Sequence, residues 1–392
     1  MAQRRIPRWP FWIGVPLAAV FLLFVFWSWD WFIPLVERQA SAALGRRVTI
    51  AHLHVRLGRI TEVVVDDLRI ENPEGFEAEE PFALVPRTTA QIDVMEYWHN
   101  RAIAIAIPSL TVERPQLAVL AKEDGRTNYG FDFGKPAGED APRQDKASSA
   151  PRIGVLRVTE GTAHVVNPKL KADFRLDVAT RDDVATRDED TPDPMIAVKA
   201  DGSYARQRIT GEAAAGGLAY LQDNSRPWPI EMKLANGPTN VSMKGTVENP
   251  LAMQGADVNL SLQGPDMALL QPLTAIPFPR TPNYRVSGRL DYAQGRVRFR
   301  DFDGHMGSSD LSGTIAVTTG GEKPEVTADL RSRRVDLADL GGFIGETPGR
   351  TSTPGQTAQQ RREIARDERS ARVLPDTPVS LPKLTAADVK LN

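Results

Sequence analysis

Few residues in this chain are spaced to do chemistry. His52 and His54 stand two apart, so on a strand both imidazoles would share a face and could begin a metal site. Arg56 continues that face, and a wet strand surface accounts for all three equally well. His99, His164 and His305 are single and distant in sequence. Asp66 and Asp67 would point apart on a strand, and Asp182-Asp183 falls in an acidic loop, so neither pair suits two-carboxylate hydrolysis. Gly216-Gly217 and Gly341-Gly342 lack a phosphate-binding context, and the GxSxG nucleophile elbow is absent. With no cysteine there are no disulfides, thiolate metal sites or thiol nucleophiles. Arg296, Arg298 and Arg300 would form a basic strip on one strand, facing solvent or a phosphate headgroup. The chain is therefore expected to be no enzyme, with no catalytic residue, no metal ligand and no cofactor.

What would position the chain is its N-terminal apolar stretch. From Phe11 to Trp29 there is no charge, through Trp12, Leu17, Phe21, Leu22, Leu23, Phe24, Phe26 and Trp27. About twenty apolar residues at 1.5 Å rise make about 30 Å of helix, enough to cross a bilayer core. Tryptophans at both ends suit the two interfaces, and Arg4, Arg5 and Arg8 would hold the N-terminus in the cytoplasm. A cleaved signal peptide is the rival, because Ala40-Ser41-Ala42 fits a cleavage site. Its apolar core would usually be shorter, about 7–15 residues. The spacing thus predicts a cytoplasmic tail over 1–10 and a transmembrane helix over 11–33.

Beyond the span the period shifts from 3.6 to 2. Pro34 to Gly45 reads as a short helix stopped by glycine, inside a first β domain over 34–134. Residues 135–151 hold no apolar side chain larger than alanine or proline and read as a linker. Over 152–348 apolar and polar residues alternate in a long meander. Asn236-Gly237 marks a hairpin, and interior glycines at 202, 245, 288 and 313 permit bends. Two loose repeats each end in a short helical piece, one from Pro265 and one from Val335. Residues 349–378 lack an apolar stripe and read as a disordered linker, and 379–392 as the start of a truncated β segment. The expected fold is mainly β: after the anchor, a long, curved, mostly antiparallel sheet with few helices. The net charge of −2 and the scarcity of aromatic residues outside the anchor argue against a nucleic-acid partner.

An ordered set of motifs adds a family. Leu44-Gly45-Arg46-Arg47-Val48 leads to Asn72-Pro73-Glu74-Gly75-Phe76, then Glu113-Arg114-Pro115, then Asp124-Gly125-Arg126-Thr127-Asn128-Tyr129. The order resembles the AsmA family, with Tyr129 where that family usually carries tryptophan. The stretch from Gly304 to Leu340 and Leu374 to Pro378 are similar as well. The resemblance implies a single-pass inner-membrane protein with its bulk in the periplasm and a part in outer-membrane biogenesis. It also implies kinship with repeating-β-groove lipid transfer proteins.

The alternation puts Phe174, Leu176, Ile230, Met232, Leu234, Val241, Met243, Val258, Leu260, Leu262, Val286, Leu290, Val297, Phe299, Ile315 and Val317 on one face. By pattern alone that face is either a dry core or an open groove. The resemblance favours a groove that shields or transfers phospholipid acyl chains between the two membranes. The alternative is an assembly or chaperone factor that adds strands to outer-membrane proteins. Expected partners are the inner membrane, phospholipid and such assembly proteins.

Overall fold

The structure is a computed structural model that describes residues 28–76, 79–93, 106–130, 152–181, 194–217, 227–249, 254–274, 278–293, 295–318, 325–343, 347–350, 352–353, 355–367 and 388–391. Most of the expected span, and the expected linker over 135–151, lie outside these residues. Among the described residues no helix is long and apolar enough to cross a membrane.

The described part opens on a 3₁₀ turn, Trp29–Phe32, which runs into helix α1, Ile33–Leu44. Pro34 suits the first helical turn, where its missing N–H is not needed, and Gly45 ends the helix at φ 63°, its N–H returning to Ser41 O. Among the described residues nineteen strands then form one sheet. β1 (Val48–Thr49) and β2 (His52–Arg56) both pair with β3 (Thr61–Ile70), and β3 pairs with β4 (Ala83–Ile92). β5 (Ala106–Glu113) and β6 (Gln116–Leu120) lie end to end along β4. β7 (Arg152–Thr159) runs parallel to β5, and β8 (Gly161–Asn167) parallel to β6.

An antiparallel meander follows. Its strands are β9 (Ala172–Arg181), β10 (Met195–Tyr204), β11 (Gln207–Ala215), β12 (Trp228–Asn236), β13 (Thr239–Asn249) and β14 (Gln254–Gly264). It continues through β15 (Tyr284–Ala293), β16 (Arg296–Met306), β17 (Ser309–Thr318) and β18 (Glu325–Arg331). β19 (Asp388–Leu391) closes the order in parallel with β18. The described strands of the blocks over 34–134 and 152–348 therefore lie in one sheet. The β5–β7 and β6–β8 pairings join them backbone to backbone.

The first block is creased along a line. Asp67, Arg114 and Glu160 all take positive φ, near 50°. Asp67 lies opposite Pro86, the one unpaired position between Asp66–Arg87 and Leu68–Val85, which is how β4 accommodates a proline between two neighbours. Arg114 separates β5 from β6 and Glu160 separates β7 from β8. Across that break Arg114 N donates to Thr159 O at 2.7 Å and Thr162 N to Pro115 O at 2.7 Å. Four neighbouring chains thus bend at the same level.

A latch holds the two loops beside this crease. Asn128 is fully buried. Its Oδ1 accepts from Leu120 N (2.7 Å), and its Nδ2 donates to Asn72 Oδ1 (2.9 Å) and Ala118 O (2.7 Å). Asn72 in turn donates to Glu80 O at 2.6 Å, and Lys122 donates to Gly75 O while lying 4.6 Å over the Phe76 ring. Asn128→Ala should cost about 3 kcal/mol, because it strands a buried N–H and a buried carbonyl together. The urea midpoint of the purified variant measures it; an unchanged midpoint would mean water replaces the amide.

The far end of the meander is capped. A 3₁₀ turn, Met267–Leu270, continues into α2, Gln271–Thr274. Fully buried Leu270 packs with Val241 and Tyr284, against Leu234, Leu262, Val286 and Met306. Asp266 caps this turn through Ala268 N, as Asp336 caps the later 3₁₀ segment Leu337–Phe343 through Ala338 N. The two loose repeats seen in the sequence thus share an aspartate-capped 3₁₀ segment.

The expected disordered linker over 349–378 needs correction where it is described. Ala358–Asp367 forms helix α3, and Ile364 is 3% exposed. Gln360 Nε2 donates to Pro265 O at 2.9 Å, and Arg280 pairs with Glu363 at 2.7 Å. One buried isoleucine and directional polar contacts dock this helix, so no apolar stripe was there to read.

Candidate functional site

Strand register decides which side chains share a face, because residues directly opposite point the same way. Leu176 faces Ala200, which faces Gly211, then Leu234, Val241, Leu262 and Val286 in turn. One residue pair along, Met232, Met243 and Leu260 stand in line. Next come Ile230, Gly245, Val258, Leu290, Phe299 and Ile315. Tyr292, Val297, Val317 and Val326 form a further row. Phe174 extends the stripe on β9. All sixteen apolar residues singled out by alternation therefore lie on one continuous face from β9 to β18. At about 4.8 Å per strand the stripe is about 45 Å long.

The face is not sealed. Of the sixteen, only Val241 and Val258 are buried, at 5% and 2% exposure; the other fourteen are partly exposed. Under the Leu270 cap Leu234, Leu260, Leu262 and Val286 are packed yet still partly exposed, and away from it Met232, Met243, Leu290 and Phe299 are partly exposed as well. Strand neighbours shield these side chains laterally while their tips stay open.

Strands approach one another closely along this face. Gly202, Gly245 and Gly313 occupy apolar-face positions. A Cβ there would overlap the carbonyl oxygens of Asp173, Asp257 and Asp329 on the neighbouring strands. A second bend falls at β16, where register shifts between Phe299 and Phe302 and Asp301 takes φ 49°. Phe299 and Phe302 stack across it at 5.2 Å.

The opposite face is a lattice of ion pairs. Arg289 grips both oxygens of Asp257, with Nε 2.5 Å from Oδ1, and this holds the Asp257 carboxyl below its usual range. The basic strip read from Arg296, Arg298 and Arg300 is not free. Arg298 Nε lies 2.7 Å from Asp291 Oδ1, and Arg300 contacts the other oxygen of Asp291. The carboxylate sits on β15, a strand away, so strand spacing alone gave no sign of it. His52 and His54 do share a face, with rings 6.4 Å apart. Each lies beside its own carboxylate, Asp30 at 3.7 Å and Asp66 at 3.6 Å. Asp66 also takes Arg87 at 2.7 Å.

At the capped end the Glu363 carboxyl is lowered, first by its bond to Arg280 and then by Gln359. A depressed folded value means the docking contribution is complete above the unfolded pKa and fades as pH falls through the folded one. Protection factors of α3 amides should therefore drop on acidification below about pH 4.5, the ordinary glutamate value. Arg280→Ala should abolish that pH dependence. Equal acid sensitivity in both proteins would assign it elsewhere.

A single long, mostly antiparallel sheet with one apolar and one charged face defines a mainly β class of protein. Among known sequences the chain is similar to the AsmA family protein YhjG of Escherichia coli strain K12, 25% identical over 391 residues. The match covers 92% of this chain, which spans 56% of that relative's length. The chain is a homologue of an AsmA family protein, in agreement with the resemblance its ordered motifs carry. No family profile matches it, and no solved structure does.

Proposed function

We propose that this chain is a membrane-anchored periplasmic protein of outer-membrane biogenesis that shields phospholipid acyl chains along its apolar face, without catalysis. The observation that carries the reading is the open stripe from β9 to β18, where fourteen of sixteen apolar side chains stay partly exposed. Such a surface on a water-facing protein calls for an apolar occupant. Each CH₂ an acyl chain buries there contributes about 0.8 kcal/mol, so a chain is held by area alone and can slide. The anchor over 11–33 would keep the stripe beside a source of lipid. Uncharged Phe11 to Trp29 and the similarity to an AsmA family protein support that placement.

Strand addition to other proteins has less support. At the β1–β2 edge three backbone N–H groups already have side-chain acceptors from the N-terminal helix. Val48 N reaches Ser41 Oγ (2.9 Å), Ile50 N reaches Glu37 Oε1 (2.8 Å) and Leu53 N reaches Asp30 Oδ1 (2.9 Å). An edge covered in this way does not offer itself as a template. At the other end β19 pairs along β18.

The experiment is native mass spectrometry with lipid extraction on protein released from membranes without detergent exchange. Phospholipid in stable proportion to protein is expected. Lipid-free protein that also fails to take up fluorescent phospholipid from vesicles would overturn the reading.

A further inference from the structure

The β2–β3 hairpin carries a surface that the apolar stripe does not explain. Its tip, Leu57 to Ile60, exposes Leu57 by 76% and Ile60 by 49%, the first among the most exposed large apolar residues described. Arg56 and Arg59 flank them, both exposed. Arg56 touches Glu62 at 3.3 Å, and Arg59 has no carboxylate partner among the described residues. Exposed apolar side chains between arginines fit the boundary between acyl chains and phosphates.

The placement of the tip makes this specific. Glu37 bonds Ile50 N and Asp30 bonds Leu53 N, so β2 advances as α1 is followed back toward its N-terminus. The tip therefore projects at the end where the chain arrives from residues 1–27. Leu57 is four strand residues beyond Leu53, about 13 Å from the arrival point. Trp31, Phe32 and Leu35, exposed by 57%, 41% and 55%, ring the same corner.

We infer that the Arg56–Ile60 hairpin tip is a second membrane contact, inserting Leu57 and Ile60 into a phospholipid surface while Arg56 and Arg59 meet its phosphates. The inference rests on the proposed anchor. One helix leaves a domain free to swivel; a helix and a hairpin tip together fix how the sheet stands on the bilayer. The fixed orientation would hold the first strands against the membrane from which lipid must enter the stripe.

Because the chain has no cysteine, single-site labels are unambiguous. The full chain is reconstituted in phosphatidylethanolamine–phosphatidylglycerol nanodiscs with an environment-sensitive fluorophore at Leu57→Cys, Ala19→Cys or Leu170→Cys. Leu170 lies in the β8–β9 turn at the opposite end of the strands and is 49% exposed. Leu57→Cys is expected to emit to the blue of Leu170→Cys and to be quenched by lipid spin-labelled near the headgroup. Reversing Arg56 and Arg59 to Glu should weaken that quenching and leave Ala19→Cys unchanged. Water-like, unquenched emission at position 57 with a quenched label at position 19 overturns the tip contact and spares the anchor. Unquenched emission at both positions overturns both.

Discussion

Met243→Glu should leave the protein folded and remove most of its bound phospholipid. Met243 sits mid-stripe between Met232 and Leu260, partly exposed and away from the Leu270 cap. In a sealed core the new carboxylate would cost several kcal/mol, a large share of a domain's stability. On an open face it reaches water when lipid leaves, so the cost to folding should stay below about 1 kcal/mol. What it disfavours is the occupied state, since a carboxylate among acyl chains has no partner. Asn259→Glu is the control: Asn259 is exposed on the charged face, between Lys244 and Arg289 in register. It should change neither lipid load nor melting temperature. An unfolded Met243→Glu beside a sound Asn259→Glu would mean that something buries the stripe.

Gly245→Val should be the most damaging conservative-looking change in the meander. A Cβ at that position runs into the Asp257 carbonyl oxygen, with the Val258 Cα 2.6 Å away, and both are backbone atoms that cannot step aside. Relief requires the β13–β14 pair to part. We expect a loss of about 3 kcal/mol or more, at the upper end for overpacking. Gly237→Asn makes the contrast. Gly237 holds φ 58° in a two-residue hairpin loop with open space around it, and Asn tolerates that conformation, so about 1 kcal/mol or less is expected. Chemical denaturation of both variants compares them. Equal loss would mean that backbone conformation, rather than strand approach, governs the glycines.

Much of this architecture could be read from alternation. β9, β12 to β18, the α1 stop at Gly45 and the paired caps all follow from local period and turn chemistry. What escaped had specific causes. β4 carries Pro86, which argues against a strand until the unpaired, positive-φ Asp67 opposite it is seen. The clue was a change of parity, Val63 and Val65 giving way to Leu68 and Ile70. β10 and β11 put Ile196, Val198 and Ile209 on the apolar face, but Ala200, Gly202, Gly211 and Ala213 between them break the hydrophobic period. The parallel joints β5–β7 and β6–β8, like the Asp291 partner of two arginines, are pairings between strands that no single strand encodes. That the sixteen residues share a face was legible by type and spacing; which strands stand beside which, and so the continuity of that face, was not, because register is a property of pairs of strands.

The central claim is that the apolar face, and only that face, holds lipid. A photo-crosslinking amino acid placed singly at Met232, Met243 and Leu260, and at Lys233, Lys244 and Asn259, tests it in living cells. Each pair of neighbours differs by one residue of strand and by the whole thickness of the sheet. The account predicts phospholipid adducts at the first three positions and none at the other three. Adducts on both faces alike, or on neither, would contradict it.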